Sequence, residues 1–283
     1  MSYKQKGQNP FGVMQGRLLP KYQGRFQAHP IGYWQEEFYK AAGYDLDCIE
    51  FILDYNDFEI NPLMSSAGLD TILELINETG VSVYTVCADY FMEAPLHHAD
   101  EAVSRHSQKI LKDLLNRGKI LGLTDIVIPC VDQSSIKDKE AQDRFYENLM
   151  SLVNLAELCN INLSLETDLP PEPFAELVNR FDSNFVTVNY DTGNSASLGY
   201  DPEEEFKCYG NKISDIHLKD RLLGGGSVMF GTGATEFTKI FNLLGKMNYS
   251  GPFVMQSYRD DEGLQVFESQ LNWIRNFFLR DPK

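Results

Sequence analysis

The chain has 283 residues, of which 43% are hydrophobic, so it can bury the core of one large domain or two small ones. Its 25 basic and 41 acidic residues give a formal net charge of −16, and no run of Lys or Arg forms a basic patch. Because such a chain repels polyphosphate backbones, we expect no nucleic-acid partner. No run of about 18 apolar residues occurs, so we expect no membrane span and no membrane partner.

The five cysteines are widely spaced, odd in number and without a CxxC pair: Cys48, Cys87, Cys130, Cys159 and Cys208. We therefore expect reduced thiols and a cytoplasmic protein. Residues 1–10, MSYKQKGQNP, are polar and are predicted to be an N-terminal leader ahead of the first strand. They lack the apolar stretch of a signal peptide.

Eight short segments along the chain are apolar and β-branched, as is typical of buried parallel strands. In chain order they are FGVMQGRL (11–18), LDCIEFIL (46–53), VSVYTVCADY (81–90), TDIVIPCV (124–131), NINLSLETD (160–168), FVTVNYDTG (185–193), KISDIHLKD (212–220) and GPFVMQSYR (251–259).

Helical periodicity fills several of the intervals between these strands, at 67–79, 100–121, 138–159 and 234–247. The stretch YDPEEEFK (200–207) predicts a further helix start, because Pro fits the first helical turn and carboxylates favour its positive end. This acidic run is interpreted as structural.

The strand ends recur at intervals that suit βα units. Their spacings are 35, 38, 42, 36, 25, 26 and 39 residues when the strands are indexed by Gln15, Glu50, Ala88, Cys130, Glu166, Asp191, His217 and Gln256. Such a repeat leaves no room for a second domain, and no GxGxxG motif follows the first strand. We predict an α/β fold, a single (β/α)8 TIM barrel over residues 1–283.

The last four strands carry polar residues two apart, which place them on one face of each strand. The series are Asn162, Ser164 and Glu166; Thr187, Asn189 and Asp191; Asp215 and His217; and Gln256. Since side chains that face outward in a barrel pack under helices, these polar series should point inward and end where barrel active sites are built.

Glu166, Asp191, His217 and Gln256 are therefore expected to converge on one divalent metal ion. Each of them alone is more often an ordinary residue, a loop carboxylate or a hydrogen-bonded core histidine, but their joint occurrence at strand ends favours the metal site. Hard oxygen ligands with one imidazole suit Mn²⁺, Mg²⁺ or Co²⁺, with Zn²⁺ as a further candidate.

At these residues the sequence resembles the xylose isomerase-like barrel superfamily, particularly its ketose 3-epimerases and sugar-phosphate epimerases. The matching motifs are LSLETD, VNYDTGN, DIHLKDR and FVMQSYR, together with GVMQGRL and CADYFMEAPL. The resemblance covers nearly the whole chain. It implies that Glu166, Asp191 and His217 are metal ligands and that Glu166 is also an acid/base.

The chain departs from the ketose 3-epimerases at strand 8, where they have a second glutamate and this sequence has Gln256. With a second Glu the ligands would sum to −3, whereas Glu, Asp, neutral His and Gln sum to −2. An amide oxygen holds metal less strongly and cannot take a proton, so the departure puts two-base epimerisation in question.

The mechanism that we expect is proton transfer next to a carbonyl, with Glu166 as the base and an enediolate as the intermediate. Inversion of a carbon needs a second donor on the other face, and Glu50, Asp168 and Asp220 are candidates. Lys219 is a further candidate catalytic residue.

Substrate-binding candidates are the polar residues at the same rim: Gln15, Arg17, Asp89, Asn189, Arg221 and Arg259. The cations among them, with Lys219, could bind phosphate or carboxylate, or simply balance nearby acids. The glycine-rich loop 224–237 precedes a helix and could hold an anion by its backbone N–H groups. Trp34, Tyr90 and Phe91 could shield a sugar ring or pack in the core.

The leading function is thus a metal-dependent sugar or sugar-phosphate isomerase or epimerase. Alternatives are a dehydratase acting on a polyol or keto-inositol, a non-catalytic sugar-binding barrel, and a DNA-repair endonuclease. The charge argues against the last, as does the context of His29, His97, His98 and His106, which we expect to be solvated or loop residues. The sequence leaves the sugar, the metal and a homo-oligomer open.

Overall fold

The computed structural model of the chain describes residues 9–261 and 263–279. Eight of its strands are parallel and form the barrel: β1 (Phe11–Met14), β2 (Cys48–Ile52), β3 (Thr85–Cys87), β4 (Asp125–Cys130), β5 (Asn162–Thr167), β6 (Val186–Asp191), β7 (Ile213–Leu218) and β10 (Phe253–Met255). They close in the order β1-β10-β7-β6-β5-β4-β3-β2. The short strands β8 (Asp220–Arg221) and β9 (Ser227–Val228) form a separate antiparallel pair. The predicted eight-stranded barrel is confirmed.

Ten α-helices cover the described chain: α1 (Glu36–Gly43), α2 (Ser66–Thr79), α3 (Tyr90–Glu93), α4 (Glu101–Leu121), α5 (Lys139–Cys159), α6 (Pro171–Asn179), α7 (Thr192–Leu198), α8 (Pro202–Tyr209), α9 (Phe237–Lys246) and α10 (Leu264–Leu279). Four 3-10 turns lie at Phe58–Ile60, Pro62–Met64, Asp132–Ser134 and Gly210–Lys212.

The helix boundaries follow from capping residues in the sequence. The side chains of Asp100, Asp138 and Asp201 each accept a backbone N–H at the first turn of α4, α5 and α8. At the other end, Gly122 terminates α4 and Asn160 terminates α5 in the left-handed conformation. The helices predicted from periodicity are confirmed to within a few residues.

The barrel strands end earlier than the apolar pattern predicted, and the reason is visible after β1. Gly16 turns the chain with a φ of 87°, and the buried carboxylate of Glu37 accepts hydrogen bonds from Gly16 N and Leu18 N at 2.8 and 2.9 Å. Residues 15–18 therefore leave the sheet and become part of the barrel mouth, where the candidate site residues lie.

Apolar side chains pack on both faces of the barrel sheet. Outward side chains such as Leu163, Val188 and Leu218 pack beneath the helices in the main core. A smaller apolar cluster packs inside the barrel and consists of Met14, Ile52, Cys87, Val127 and Val254. Among the predicted aromatics, Trp34, Tyr90 and Phe91 are all buried in the main core.

A β-bulge on β7 changes which side chains reach the barrel interior. Val188 pairs with Ile213, but Asn189 already pairs with Asp215, so Ser214 is an extra residue. Ser214 Oγ lies 2.6 Å from Asp125 Oδ1, low in the barrel, while Asp215 and His217 keep the inward direction that alternation predicted.

None of the five cysteines, all of which the structure describes, is in a disulfide, and four of them are buried. Among the residues that the structure describes, no helix combines the length and the apolar character needed to cross a membrane. Residues 1–8 of the predicted leader lie outside the described residues. The single-domain boundaries and the cytoplasmic location stay predictions.

Candidate active site

A cavity of about 290 Å³ opens at the carboxyl ends of the barrel strands. Its lining includes Glu166 near the end of β5, Asn194 in α7, Lys219 after β7 and Gln256 after β10. Asp89, which follows β3, also lines it. The predicted mouth of the barrel is therefore a polar pocket.

Three of the four predicted metal ligands meet at the floor of this cavity. Glu166, Asp191 and His217 each offer a ligand atom, and these atoms lie within 4.8 Å of one another. Glu166 Oε2 is 3.9 Å from His217 Nδ1. Asp191 and His217 are direct partners in the register of β6 and β7, which explains why sequence alternation found both. All three side chains are buried.

Each carboxylate at the floor has one oxygen fixed by the protein. Asn194 Nδ2 donates to Glu166 Oε1 at 2.6 Å. Asp191 caps α7, and its Oδ1 accepts from the backbone N–H groups of Gly193 and Asn194 at 2.9 and 2.8 Å. The remaining oxygens, Glu166 Oε2 and Asp191 Oδ2, are thereby oriented toward their neighbours in the cluster.

Gln256 is linked to Asp89 by hydrogen bonds through the side-chain amide of Gln27. Its Nε2 donates to Gln27 Oε1 at 2.8 Å, and Gln27 Nε2 donates to Asp89 Oδ2 at 3.1 Å. Arg17 Nη2 donates to the same Gln27 oxygen at 3.0 Å. Gln256 Oε1 is buried and has no hydrogen-bond partner.

His217 is held from its other side by Glu50. Glu50 Oε1 lies 2.8 Å from His217 Nε2, and Asp215 Oδ2 lies 3.9 Å from the same nitrogen. Burial alone would lower the pKa of His217, but the carboxylates of Glu50 and Glu166 raise it to about 10. Burial, followed by the charge of Glu50, raises the pKa of Asp215.

The donor set fits a divalent cation. Two carboxylates and an imidazole converge, and both His217 Nδ1 and Gln256 Oε1 are buried polar atoms without a hydrogen-bond partner. Burial and the negative charge of Asp191 raise the pKa of Glu166 to about 7, while the positive charges of His217 and Lys219 act in the opposite direction.

Lys219 and Arg221 lie beside the cluster. Lys219 Nζ is 3.3 Å from Asp191 Oδ2 and 3.3 Å from Asn194 Oδ1. Arg221 Nη1 donates to Asn194 Oδ1 at 2.8 Å, and its Nε donates to the carbonyl of Gly225 at 2.9 Å. Both cations are therefore engaged with the protein.

The other substrate-binding candidates lie behind the lining. Gln15 is fully buried, and its Oε1 accepts from Ile52 N at 3.0 Å. Asn189 is buried and donates to Asp215 Oδ2 at 3.1 Å. Arg259 donates to the carbonyl of Arg17 at 2.9 Å and lies over the ring of Phe26, 4.5 Å from its centroid. Their roles in substrate binding stay predictions.

Two of the candidate proton donors have structural partners. Asp220 accepts hydrogen bonds from the N–H groups of Gly231, Gly233 and Thr235 at 2.8, 2.9 and 3.1 Å. These three N–H groups are therefore engaged within the protein, and anion binding by the rest of the glycine-rich loop stays a prediction. Asp168 accepts a hydrogen bond from the hydroxyl of Ser135.

Sequence analysis missed several residues that organise the site. Asn194 joins Glu166, Lys219 and Arg221, although it stands in the motif VNYDTGN that carried the resemblance. Gln27 comes from a loop with no regular pattern. His29 lies in a loop as expected, yet it is buried, as is His97.

Comparison with known proteins shows which family the chain resembles. A family model described as "Xylose isomerase-like TIM barrel" matches residues 38–277. The chain belongs to this family. The resemblance predicted from the strand-end motifs is thereby confirmed.

A curated relative and two solved structures illustrate the family. The "Putative L-ribulose-5-phosphate 3-epimerase SgbU" of Escherichia coli (strain K12) is 27% identical over 251 residues, which are 83% of this chain and 87% of that protein. The 3-keto-D-glucoside 4-epimerase YcjR from E. coli has a TM-score of 0.75 at 17% identity and covers 95% of this chain and 100% of its own.

The IOLI protein with a bound zinc atom has a TM-score of 0.73 at 17% identity, covering 95% of this chain and 97% of its own. The similarity to the two solved structures shows the fold. The name of the curated relative agrees with the predicted isomerase and epimerase class of enzyme.

Proposed function

We propose that the chain is a metal-dependent sugar isomerase or epimerase that uses Glu166 to move a proton on the carbon beside a carbonyl. The observation that carries the proposal is the convergence of Glu166, Asp191 and His217 at the floor of a polar cavity. The names of the relatives point to the same class of substrate, since the curated relative is named a sugar-phosphate 3-epimerase.

Glu166, Asp191, His217 and the free oxygen of Gln256 would hold the metal, with Mn²⁺, Mg²⁺, Co²⁺ and Zn²⁺ as candidates. When bound, a divalent cation polarises a carbonyl and acidifies the neighbouring C–H. Glu50 Oε1, 2.8 Å from His217 Nε2, would keep the imidazole proton on that nitrogen and leave Nδ1 as the ligand atom. That role fits its full burial beneath the site better than direct contact with substrate.

Glu166 would take a proton and return it. Asn194 donates to Oε1 and so fixes the orientation of the carboxylate. A bound cation would lower the pKa of Glu166, which favours the carboxylate as base. Lys219, 3.3 Å from Asp191, can donate to a substrate oxygen as negative charge develops there.

Asp89 is our candidate for the proton donor that inversion requires. It lines the cavity, and through Gln27 it joins the hydrogen-bond network of Gln256, the position where ketose 3-epimerases carry a glutamate. Burial raises its pKa, although hydrogen bonds from Cys87 and Gln27 act in the opposite direction. A protonated Asp89 can donate a proton to the face of the intermediate opposite Glu166.

Solvent deuterium exchange tests the proposal. The Mn²⁺-loaded protein is incubated in D₂O with a panel of ketoses and ketose phosphates, and both label and product are read by NMR. We expect deuterium at the carbon beside the carbonyl, with loss of activity on dialysis against a chelator. Formation of a product lighter by one water would instead support a dehydratase.

Three variants divide the roles within this assay. Glu166→Gln should lower exchange by about 10²- to 10⁴-fold, the usual contribution of a general base. Asp89→Asn should keep exchange but lose inversion. Glu176→Gln, at an exposed position of α6, is the matched control and should behave as the parent protein. Exchange at the parent rate in Glu166→Gln would contradict the proposal.

A further inference from the structure

We infer that the substrate is an uncharged keto-sugar rather than its phosphate ester, an inference that rests on the proposed function. The curated relative is named for a phosphorylated sugar, so this conclusion separates the chain from that protein.

Acidic side chains dominate the cavity lining. Five carboxylates belong to it: Asp54, Asp89, Glu93, Asp132 and Glu166. Its cations are Arg25 and Lys219. With every carboxylate ionised, the formal charge of the lining is 2 − 5 = −3. When Asp191 of the neighbouring cluster is added and Asp89 is protonated, the sum is again −3, and a divalent cation would bring it to −1 before the two negative charges of a phosphate ester are added. The whole chain, at −16, repels the same anion from a distance.

Both lining cations are already paired. Arg25 Nη1 lies 3.0 Å from Asp54 Oδ1, and the other oxygen of Asp54 accepts from His29 N at 2.8 Å, which fixes the pair. Lys219 Nζ is 3.3 Å from Asp191 Oδ2. A phosphate group would have to compete with these carboxylates for each cation.

The remaining cationic side chains at the barrel mouth donate hydrogen bonds to other groups of the protein. Arg17 donates to Gln27, Arg221 donates to Asn194 and a backbone carbonyl, and Arg259 donates to three carbonyl oxygens. In the glycine-rich loop, the N–H groups of Gly231, Gly233 and Thr235 are bound to Asp220. Around this cavity, the described chain offers no cluster of free donors of the kind that binds a phosphate dianion.

The same lining suits hydroxyl groups. Carboxylate oxygens accept hydrogen bonds from hydroxyls without any charge on the ligand. Amide groups of Gln256, Asn194 and Gln133 add both donors and acceptors. At about 290 Å³ the cavity lies at the lower end of the range for small-molecule sites, which matches a single sugar ring or open-chain sugar.

Paired substrates test this inference. Deuterium exchange and kcat/KM are measured with the Mn²⁺-loaded protein on D-fructose, D-tagatose and L-ribulose and on the terminal phosphate ester of each. We expect the best free ketose to exceed its ester on the order of 100-fold in kcat/KM. An ester that equals or exceeds its ketose would overturn the inference and leave the proposed function intact.

Absence of exchange with every compound would instead contradict the proposed function. Isothermal titration then decides the inference by itself, because binding needs no turnover. Tighter binding of a free ketose than of its ester supports it, and tighter binding of the ester overturns it.

Variants with altered cavity charge provide a second test of the inference. Glu93 and Asp132 are exposed lining residues, so the double variant Glu93→Gln/Asp132→Asn changes the lining from −3 to −1 without disturbing the core. The ester-to-ketose ratio of kcat/KM should rise by about 10-fold, and high salt should raise the parent's ratio because it screens exposed charges.

Asp70→Asn/Glu74→Gln makes the same charge change on the exposed face of α2 and should leave the ratio unchanged. A rise in this control equal to that in the cavity variant would overturn the local charge argument.

Discussion

Replacement of Gln256 by glutamate tests the metal site and its hydrogen-bond network together. The change is nearly isosteric and adds one negative charge. In the metal-free protein, Gln256 Nε2 donates to Gln27 Oε1 at 2.8 Å, and glutamate would place an oxygen against that acceptor. Arg17 already donates to Gln27 Oε1, and Gln27 Nε2 is bound to Asp89, so the neighbouring amide cannot simply reverse.

Two opposite effects follow. Losing the hydrogen bond and setting a carboxylate oxygen against Gln27 Oε1 costs about 1–3 kcal/mol, which lowers the Tm of the variant without metal by about 2–10 °C. With metal, a charged ligand oxygen adds about 8 kcal/mol of attraction to a divalent cation at 4 Å and an effective dielectric constant of 20. Desolvation of the new carboxylate offsets several kcal/mol of this attraction, and a net gain of about 1–3 kcal/mol predicts roughly 10- to 100-fold tighter metal binding.

Calorimetry measures both quantities. Scanning calorimetry without metal gives the change in Tm, and titration with Mn²⁺ gives the Kd. Gln265→Glu, at an exposed position of α10, is the control and should alter neither. A Kd for the Gln256→Glu variant equal to that of the parent would refute the conclusion that Gln256 Oε1 faces the cation.

Three further predictions address the residues around the cluster. Glu50→Gln should weaken Mn²⁺ binding by about 10- to 100-fold, because Glu50 fixes the ring of His217, and an unchanged Kd by titration would exclude that role. Burial lowers the pKa of His29 and of His97 to about 4, so their contribution to stability is full above the unfolded value of 6.5 and is lost as the pH falls toward 4. Urea unfolding of the parent and of the variants His29→Gln and His97→Gln should show that each histidine accounts for a loss of about 2 kcal/mol between pH 7.5 and pH 5, and an equal pH dependence in parent and variants would contradict it. Asp220→Ala should cost about 2–4 kcal/mol by removing the acceptor for three backbone N–H groups, seen as a lower Tm and faster proteolysis of the loop that follows it.

The sequence by itself determined the barrel and three of its metal-ligand candidates. Apolar runs at a repeat near 35 residues specify βα units, and capping residues such as Asp138 specify where helices begin. Alternation along a strand is local physics, so it correctly placed Glu166, Asp191 and His217 on inward faces. Neighbouring strands then bring such residues together without further information.

Only the tertiary structure decided what surrounds them. Gln27 meets Gln256 across 229 positions of sequence, and Glu50 comes to lie against His217 from a strand far along the chain. The engagement of Asp220 with its loop depended equally on the folded backbone. These contacts join irregular loops or distant strands, where no periodic pattern records the partner. For the same reason the net charge of the cavity follows from three-dimensional proximity rather than from any one segment of sequence.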